Sequence, residues 1–330
     1  MANIAVVGAG LAGVTAAHRL EKHGLTVTVF DRGRRVGGRC SSQGRDQIYD
    51  HGAQFLTLSN PEFELMIDTL RQSGAVAPWT GHFVRLQGGW EQHDEEPIRF
   101  VGVPHMRTIV ETLACGLNVQ HDNHVQRIET CARGWRLINH DGSDLGEYNA
   151  LVLAMPPEQV RSLLPSASVI FSATNNIKSR PSWALMVEFK ERLPLAYDSA
   201  LIDHNTIAWA ARDSSKPGRP AGERWVVHSS AAWAQAHLKT APETVAFELY
   251  EAFLDATQLS NPAKVSAKAH RWRLGFPLTT ALKDAYWDDE MSIGVCGDWC
   301  VSDNLQGAFL SGTLCGELVA SAMGASAKKT

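Results

Sequence analysis

Three glycines near the start of the chain, Gly8, Gly10 and Gly13, follow a β-branched run from Ile4 to Val7 with the spacing Gly-x-Gly-x-x-Gly. In such a turn the first glycine makes the tight bend and the second lets the backbone approach a pyrophosphate. The third lets helix and strand pack closely. The amides that open the next helix, at Leu11 and Ala12, then aim N–H groups at the phosphates. A second β run, Val27 to Phe30, ends in Asp31, 18 residues past Gly13 and followed by Arg32. A carboxylate there accepts hydrogen bonds from a ribose. Together these residues predict a dinucleotide site. A second turn, Gly37-Gly38-Arg39, follows at once, and its guanidinium offers a fork of donors suited to pyrophosphate charge. The competing reading of this basic stretch is a solvated loop.

The elements that must hold these residues are legible in outline. A strand, a glycine turn, a helix and a strand occupy the first 31 residues. In the middle, NVQHDNHVQRIE and GWRLINHDG read as strands with turns, and ALVLAMPP reads as a buried apolar strand ended by Pro156-Pro157. Ile293 to Gly297 reads as a strand ending before Asp298, and Gln306-Gly307-Ala308 opens a helix. Between these stations lie segments of other character. Residues 77–106 read as short strands and turns. Residues 165–287 hold the strand-like SWALMVEF, IAWAAR, WVVHSS and HRWRLGFP with a helical TVAFELYEAFLDAT. The domains predicted are therefore discontinuous: 1–76, 107–164 and 288–330 for the nucleotide, and 77–106 with 165–287 as a cap. The Ser/Pro/Gly-rich stretch 214–224 reads as a mobile loop.

In these features the chain resembles flavoproteins of the glutathione-reductase-2 type, which carry the second Gly-Gly-Arg turn. In MPPEQV, SWALMVEF, VVHSSAAWAQAHL, AHRWRLGFP and VCGDWCVSDNLQGAFLSG it is similar to the flavin-containing amine oxidase superfamily, and within it to the bacterial renalases. The resemblance implies an α/β fold of the p-hydroxybenzoate hydroxylase/amine oxidase kind. This would be a Rossmann-like FAD-binding domain with a substrate domain built on an antiparallel sheet with helices. It implies Arg39 at the pyrophosphate and Gly52, Ala53, Gln54 and Phe55 beside the flavin ring. It also implies the Val125 amide at the adenine and Asp298 at the ribityl chain, with the helix opening at Gln306, Gly307 and Ala308 aiming its positive end at the flavin edge where charge builds on reduction.

Renalases oxidise dihydropyridine isomers of NAD(P)H that carry hydrogen at ring position 2 or 6. They give NAD(P)+ and, through O2, hydrogen peroxide. Such a substrate is already a strong hydride donor, so the absence of a catalytic triad is no objection. Trp209, Trp225 and Trp272 are the candidate walls for a flat ring, against the alternative that each is core. His228 is a candidate hydrogen-bond partner of the substrate carboxamide, against a satisfied core histidine. Arg271 and Arg273, flanking Trp272, are candidates for a substrate phosphate. Amine oxidation is the second reading. The tyrosine that monoamine oxidases place three residues before the helix Gly-Ala is Asn304 here, and their Ser-Gly-Gly-Cys flavin-attachment pattern is missing, which implies non-covalent FAD. A flavin-binding redox sensor and an NAD(P)H-dependent monooxygenase remain further alternatives.

Composition sets the remaining bounds. With 330 residues, 44% of them hydrophobic, the chain can bury a full core in two lobes. A net charge of −4 gives no basic footprint for nucleic acid. Six cysteines show no metal spacing and read as free thiols of a reducing, cytoplasmic compartment. No leader is expected before the first strand. The helix over 307–327 is expected to pack Phe309, Leu310, Leu314, Leu318 and Val319 against a sheet rather than span a membrane. The sequence stops at Lys328-Lys329-Thr330, and no membrane tail is expected.

Overall fold

The computed structural model describes residues 2–44, 48–87, 90–93 and 97–324. Within the strand-and-turn stretch 77–106, residues 88–89 and 94–96 lie outside the described residues, as do residues 325–330.

The opening strand, Asn3–Val7, sits inside a six-stranded sheet. The order is Tyr286–Asp288, Ile293–Val295, Ala150–Leu153, Asn3–Val7, Thr26–Phe30, Val119–Gln120. All pairs are parallel except the outermost, Tyr286–Asp288 with Ile293–Val295. These strands are near-continuous apolar runs because both faces are covered. Ile4, Val6, Val27 and Val29 pack with helix Leu11–Lys22 and the C-terminal helix Leu305–Ala322. Ala5, Val7, Leu151 and Leu153 pack under Trp135 and Leu137 of a three-stranded antiparallel sheet, Val125–Cys131, Gly134–Asn139 and Asp144–Tyr148.

The C-terminal helix buries most of the expected stripe, with Phe309 and Val319 in the core and Leu310 and Leu318 packed against it, but not Leu314. Leu314 is 39% exposed, while Gly312, Cys315, Gly316 and Val319 are buried. Small residues win because the partner is another helix at close range. A Cβ at Gly312 would stand 2.3 Å from the carbonyl oxygen of Ala12, and one at Gly316 would stand 2.6 Å from Cβ of Arg19. Among the described residues, no helix is long and apolar enough to cross a membrane.

The second sheet has seven strands in the order Lys264–Pro277, Ser179–Phe189, Glu223–Ser229, Ile207–Arg212, Ser199–Asp203, Phe83–Gln87, Trp90–His93. It is antiparallel apart from the pairing of Ser199–Asp203 with Phe83–Gln87. The period of two sorts its side chains. Trp183, Leu185, Val187, Trp225 and Val227 face helix Pro242–Thr257 and meet Leu249 and Phe253. Ala184, Met186 and Val226 face the other way and pack with Tyr49. The fold is thus α/β, a Rossmann-like parallel sheet plus a mostly antiparallel second sheet, as the sequence implied.

Two expectations change. Residues 165–178, assigned to the cap, pack on the parallel-sheet half. The hydroxyl of Ser168 donates to the buried carboxylate of Asp288 at 2.6 Å, and Ile170 enters the core beneath that sheet. The stretch 214–224 is anchored rather than free. A turn at Asp213–Ser215 opens it, and the side chains of Lys216 and Arg219 are wholly buried.

Candidate active site

A cavity of about 1620 Å³ runs between the two sheets. Pockets for one small molecule span roughly 300–1,000 Å³, so this one has room for a dinucleotide and a second ligand. One end is built by the glycine turns. Gly10, Leu11, Ala12, Asp31, Arg32, Gly38 and Arg39 line it. Helix Leu11–Lys22 starts there with no side-chain cap and no acid in its first turn. Gly38 has φ +51°, and a Cβ on it would meet Cα of Gly10 at 3.2 Å. Gly8 and Gly13 do not line the cavity. They shape it: a Cβ at Gly13 would stand 1.9 Å from the carbonyl oxygen of Gly8, and one at Gly8, with φ +110°, would stand 2.5 Å from that of Ala154. The Asp31 carboxylate accepts from the amides of Ala9 and Gly33, both at 2.7 Å, and ties the turn to the loop after it. Each oxygen retains a lone pair for a ribose hydroxyl. This uncapped helix start, with its glycine cradle and Arg39, fits the pyrophosphate and ribose of FAD.

The other anticipated cofactor residues meet along the same cavity: Gly52, Ala53, Gln54, Phe55, Val125, Asp298, Gln306 and Ala308. Arg39 donates to the Asp298 carboxylate at 2.5 Å and to the carbonyl of Gly275 at 3.2 Å, so it ties its own turn to two distant segments. Gly307 departs from expectation. Its amide is taken by the Asn304 side chain at 2.8 Å, and a Cβ on it would stand 2.4 Å from the carbonyl oxygen of Ser302. It is a packing glycine, and Asn304 is the N-cap of the helix. The Gln306 side chain pairs with Ser59.

The far wall is made of rings. Trp209, Trp272 and His228 line the cavity, joined by His51 and His270. His51 stacks on Trp272 with centroids 5.2 Å apart, and His270 lies 4.3 Å from His51. The Trp272 indole N–H donates to the His51 carbonyl at 2.8 Å. Trp209 meets His228 edge-on at 5.8 Å. A β-bulge between Ile207 and Trp209 turns this indole toward the cavity. Trp225 does not reach the cavity. It lies three residues before His228 on one strand, hence on the opposite face. There it is fully buried against Tyr197 and Phe253, with its N–H on Glu223 at 2.8 Å. Arg271 likewise turns to that face, over Trp183 and onto the Leu238 carbonyl, whereas Arg273 is exposed.

Burial removes charge from these imidazoles. It pushes His51 down to about 3, helped by His270, and His228 down to about 4, helped by Lys216; His270 is lowered by burial alone. The ring wall is therefore neutral at physiological pH. It follows that stability falls on acidification. Below the ordinary histidine value of 6.5 the unfolded chain binds protons that folded His51 and His228 refuse. Each contributes at most ~1.4 kcal/mol per pH unit, between 6.5 and about 4 for His228 and down to about 3 for His51. Urea titrations at stepped pH check this, and the slope should shrink in His228→Gln.

Behind the wall lies a feature the sequence reading missed. Asp50, Asp213, Lys216 and Arg219 form an ion cluster with all four side chains fully buried. Lys216 Nζ donates to Asp213 at 2.7 Å, to Gln54 Oε1 at 3.1 Å and to Asp50 at 3.2 Å. Asp50 also accepts from the Ser42 hydroxyl and from the Met106 amide. Burial alone would raise its pKa, but Lys216 and Arg219 outweigh burial and hold the carboxyl below its ordinary value. Asp50 and His51 immediately precede the segment read beside the flavin. His270 shares the face of Trp272 by strand period. The partners of Asp50, 163 to 169 residues away, had no local signal.

Comparison with known proteins agrees with this geometry. Residues 6–70 match the NAD(P)-binding Rossmann-like domain family. A stretch of 68 residues is 43% identical to the mitochondrial protoporphyrinogen oxidase of Nicotiana tabacum, covering 20% of this chain and 14% of that protein. In three dimensions the similarity runs the whole length. A protein from Exiguobacterium sp. 255-15, provisionally named a protoporphyrinogen oxidase, superposes with TM-score 0.77 at 12% identity, over 97% of this chain and 99% of its own. The cyclohexylamine oxidase of Brevibacterium oxydans superposes with TM-score 0.74 at 13% identity, over 98% and 99%. The chain thus carries a Rossmann-like dinucleotide-binding segment within an amine-oxidase-like fold.

Proposed function

We propose that this chain is an FAD-dependent oxidase that takes hydride from 2- or 6-dihydro isomers of NAD(P)H. The products are NAD(P)+ and, with O2, hydrogen peroxide. The carrying observation is the composition of the cavity wall. Apart from Arg271, whose guanidinium turns to the opposite face, eight arginines and three aspartates line it, while its far wall is neutral indole and imidazole. Two dinucleotides bring two pyrophosphates, which suits the positive excess. A dihydropyridine is flat and uncharged at its reacting ring, which suits the far wall. An aromatic cage for amines uses tyrosine, and none lines the cavity among the described residues.

When bound, FAD supplies the two-electron acceptor and returns the electrons to O2. The chain supplies the rest. The glycine turns, Asp31 and Arg39 hold the cofactor. Trp272 and Trp209 orient the substrate ring, and the buried wall excludes water. His228 stays neutral and serves as a hydrogen-bond partner for the carboxamide. Cys40, the one thiol lining the cavity among the described residues, is pushed up to about 12 by burial. It stays protonated and unreactive, which favours non-covalent FAD.

The test is product analysis. A borohydride-reduced mixture of NAD(P)H isomers should yield NAD(P)+ and peroxide in equal amounts, leaving the 4-dihydro form behind. Consumption of the 4-dihydro form at the same rate would defeat the proposal.

A further inference from the structure

We propose that Lys216 is a positioning residue that fixes the amide of Gln54 and, through it, the tautomer of His228 on the cavity wall. The inference rests on reading that wall as the substrate face. Lys216 can only donate, and each of its three N–H groups has one acceptor: Asp213, Asp50 and Gln54 Oε1. Gln54 must therefore turn its oxygen to Lys216. Its nitrogen then faces the carbonyls of Asp50 and Gly52, which accept only. Both ends specify one amide orientation.

The same Gln54 nitrogen stands 3.3 Å from His228 Nε2. An amide nitrogen cannot accept, so a proton on Nε2 would face only hydrogens there, and the proton of neutral His228 sits on Nδ1. The wall then presents an N–H, the complement of a carboxamide oxygen. Were the amide reversed, the tautomer would reverse and the wall would present an acceptor. The ionisable groups that face His228 are Lys216, through Gln54, and His51. The buried cluster of Asp50, Asp213 and Arg219 holds Lys216 in place and neutralises it, so one ammonium sets the polarity of the wall without lining it.

The test is nitrogen-15 NMR of the flavin-loaded protein with labelled histidine, the His228 signals being assigned by their loss in His228→Gln. The native protein should show His228 protonated on Nδ1 alone. Lys216→Met should lose that single tautomer and raise the His228 titration midpoint by about 1 unit. Lys216→Arg should retain both. If Lys216→Met does not fold, Gln54→Leu, which leaves the four charges in place, should lose the single tautomer in the same way. A native Nε2-protonated His228, or an unchanged Nδ1 tautomer and midpoint in the folded variants, overturns the proposal. None of these readouts uses substrate, so a wrong substrate class and a wrong role for Lys216 fail separately.

Discussion

Replacing Asp50 with alanine is expected to cost about 3–5 kcal/mol of folding free energy, the loss typical when one partner of a buried ion pair is removed. The carboxylate is fully buried between Lys216 and Arg219, and its second oxygen accepts from Ser42 and Met106. Without it two cations share Asp213 with no access to water, and the Met106 amide loses its acceptor. The pH dependence has a definite sign. Lys216 and Arg219 hold the folded pKa of Asp50 below the ordinary 3.8. Its stabilisation is therefore present above 3.8 and is lost as pH falls below that value. This window lies mainly under the one set by His228, which opens at 6.5. Chemical denaturation at neutral pH checks the magnitude. Loss of less than about 1 kcal/mol would mean that the cluster contributes no more than a surface pair.

Replacing Arg39 with alanine is expected to weaken FAD retention roughly 10–100-fold, from the ~1.5–3 kcal/mol of a hydrogen bond to a charged group. Arg39 lines the cavity beside the Gly38 turn, with its side chain 31% exposed and its partner Asp298 only 7% exposed. The substitution removes a cation beside the glycine cradle and leaves Asp298 without its partner. Lysine should rescue in part, because it keeps the charge and loses the fork. Flavin content after gel filtration reads the effect, and the melting temperature of flavin-free protein separates it from a folding defect. Unchanged flavin content would mean that Arg39 only clasps Asp298 and Gly275.

The nucleotide end of the site was legible in the sequence because its chemistry is local. Gly8, Gly10 and Gly13 lie within six residues, Asp31 follows the next strand, and a parallel sheet covered on both faces, by helices on one and a small antiparallel sheet on the other, writes itself as apolar runs. The far wall was legible only in part. Trp272 and His228 could be placed by type, but which face each strand presents depends on period and bulges. Period two already separates Trp225 from His228, and it puts His270 with Trp272. The bulge that turns Trp209 inward leaves no mark in the residue types. Gly307 looked like a cofactor glycine because its neighbours fit a motif, whereas its need is contact with Ser302. The anchoring of residues 214–224 was hidden for another reason. Ser, Pro and Gly report local freedom, and the two cations that hold the stretch find Asp50 more than 160 residues away.

The central claim is the substrate, and rapid mixing without oxygen tests it most directly. The flavin-loaded protein is mixed with separately prepared 2-, 4- and 6-dihydro isomers of NAD(P)H and with primary amines, and the visible flavin absorbance is followed. Fast bleaching by the 2- or 6-dihydro isomer, with none by amines, is the predicted result. Fast bleaching by an amine, with none by any dihydropyridine, would contradict it.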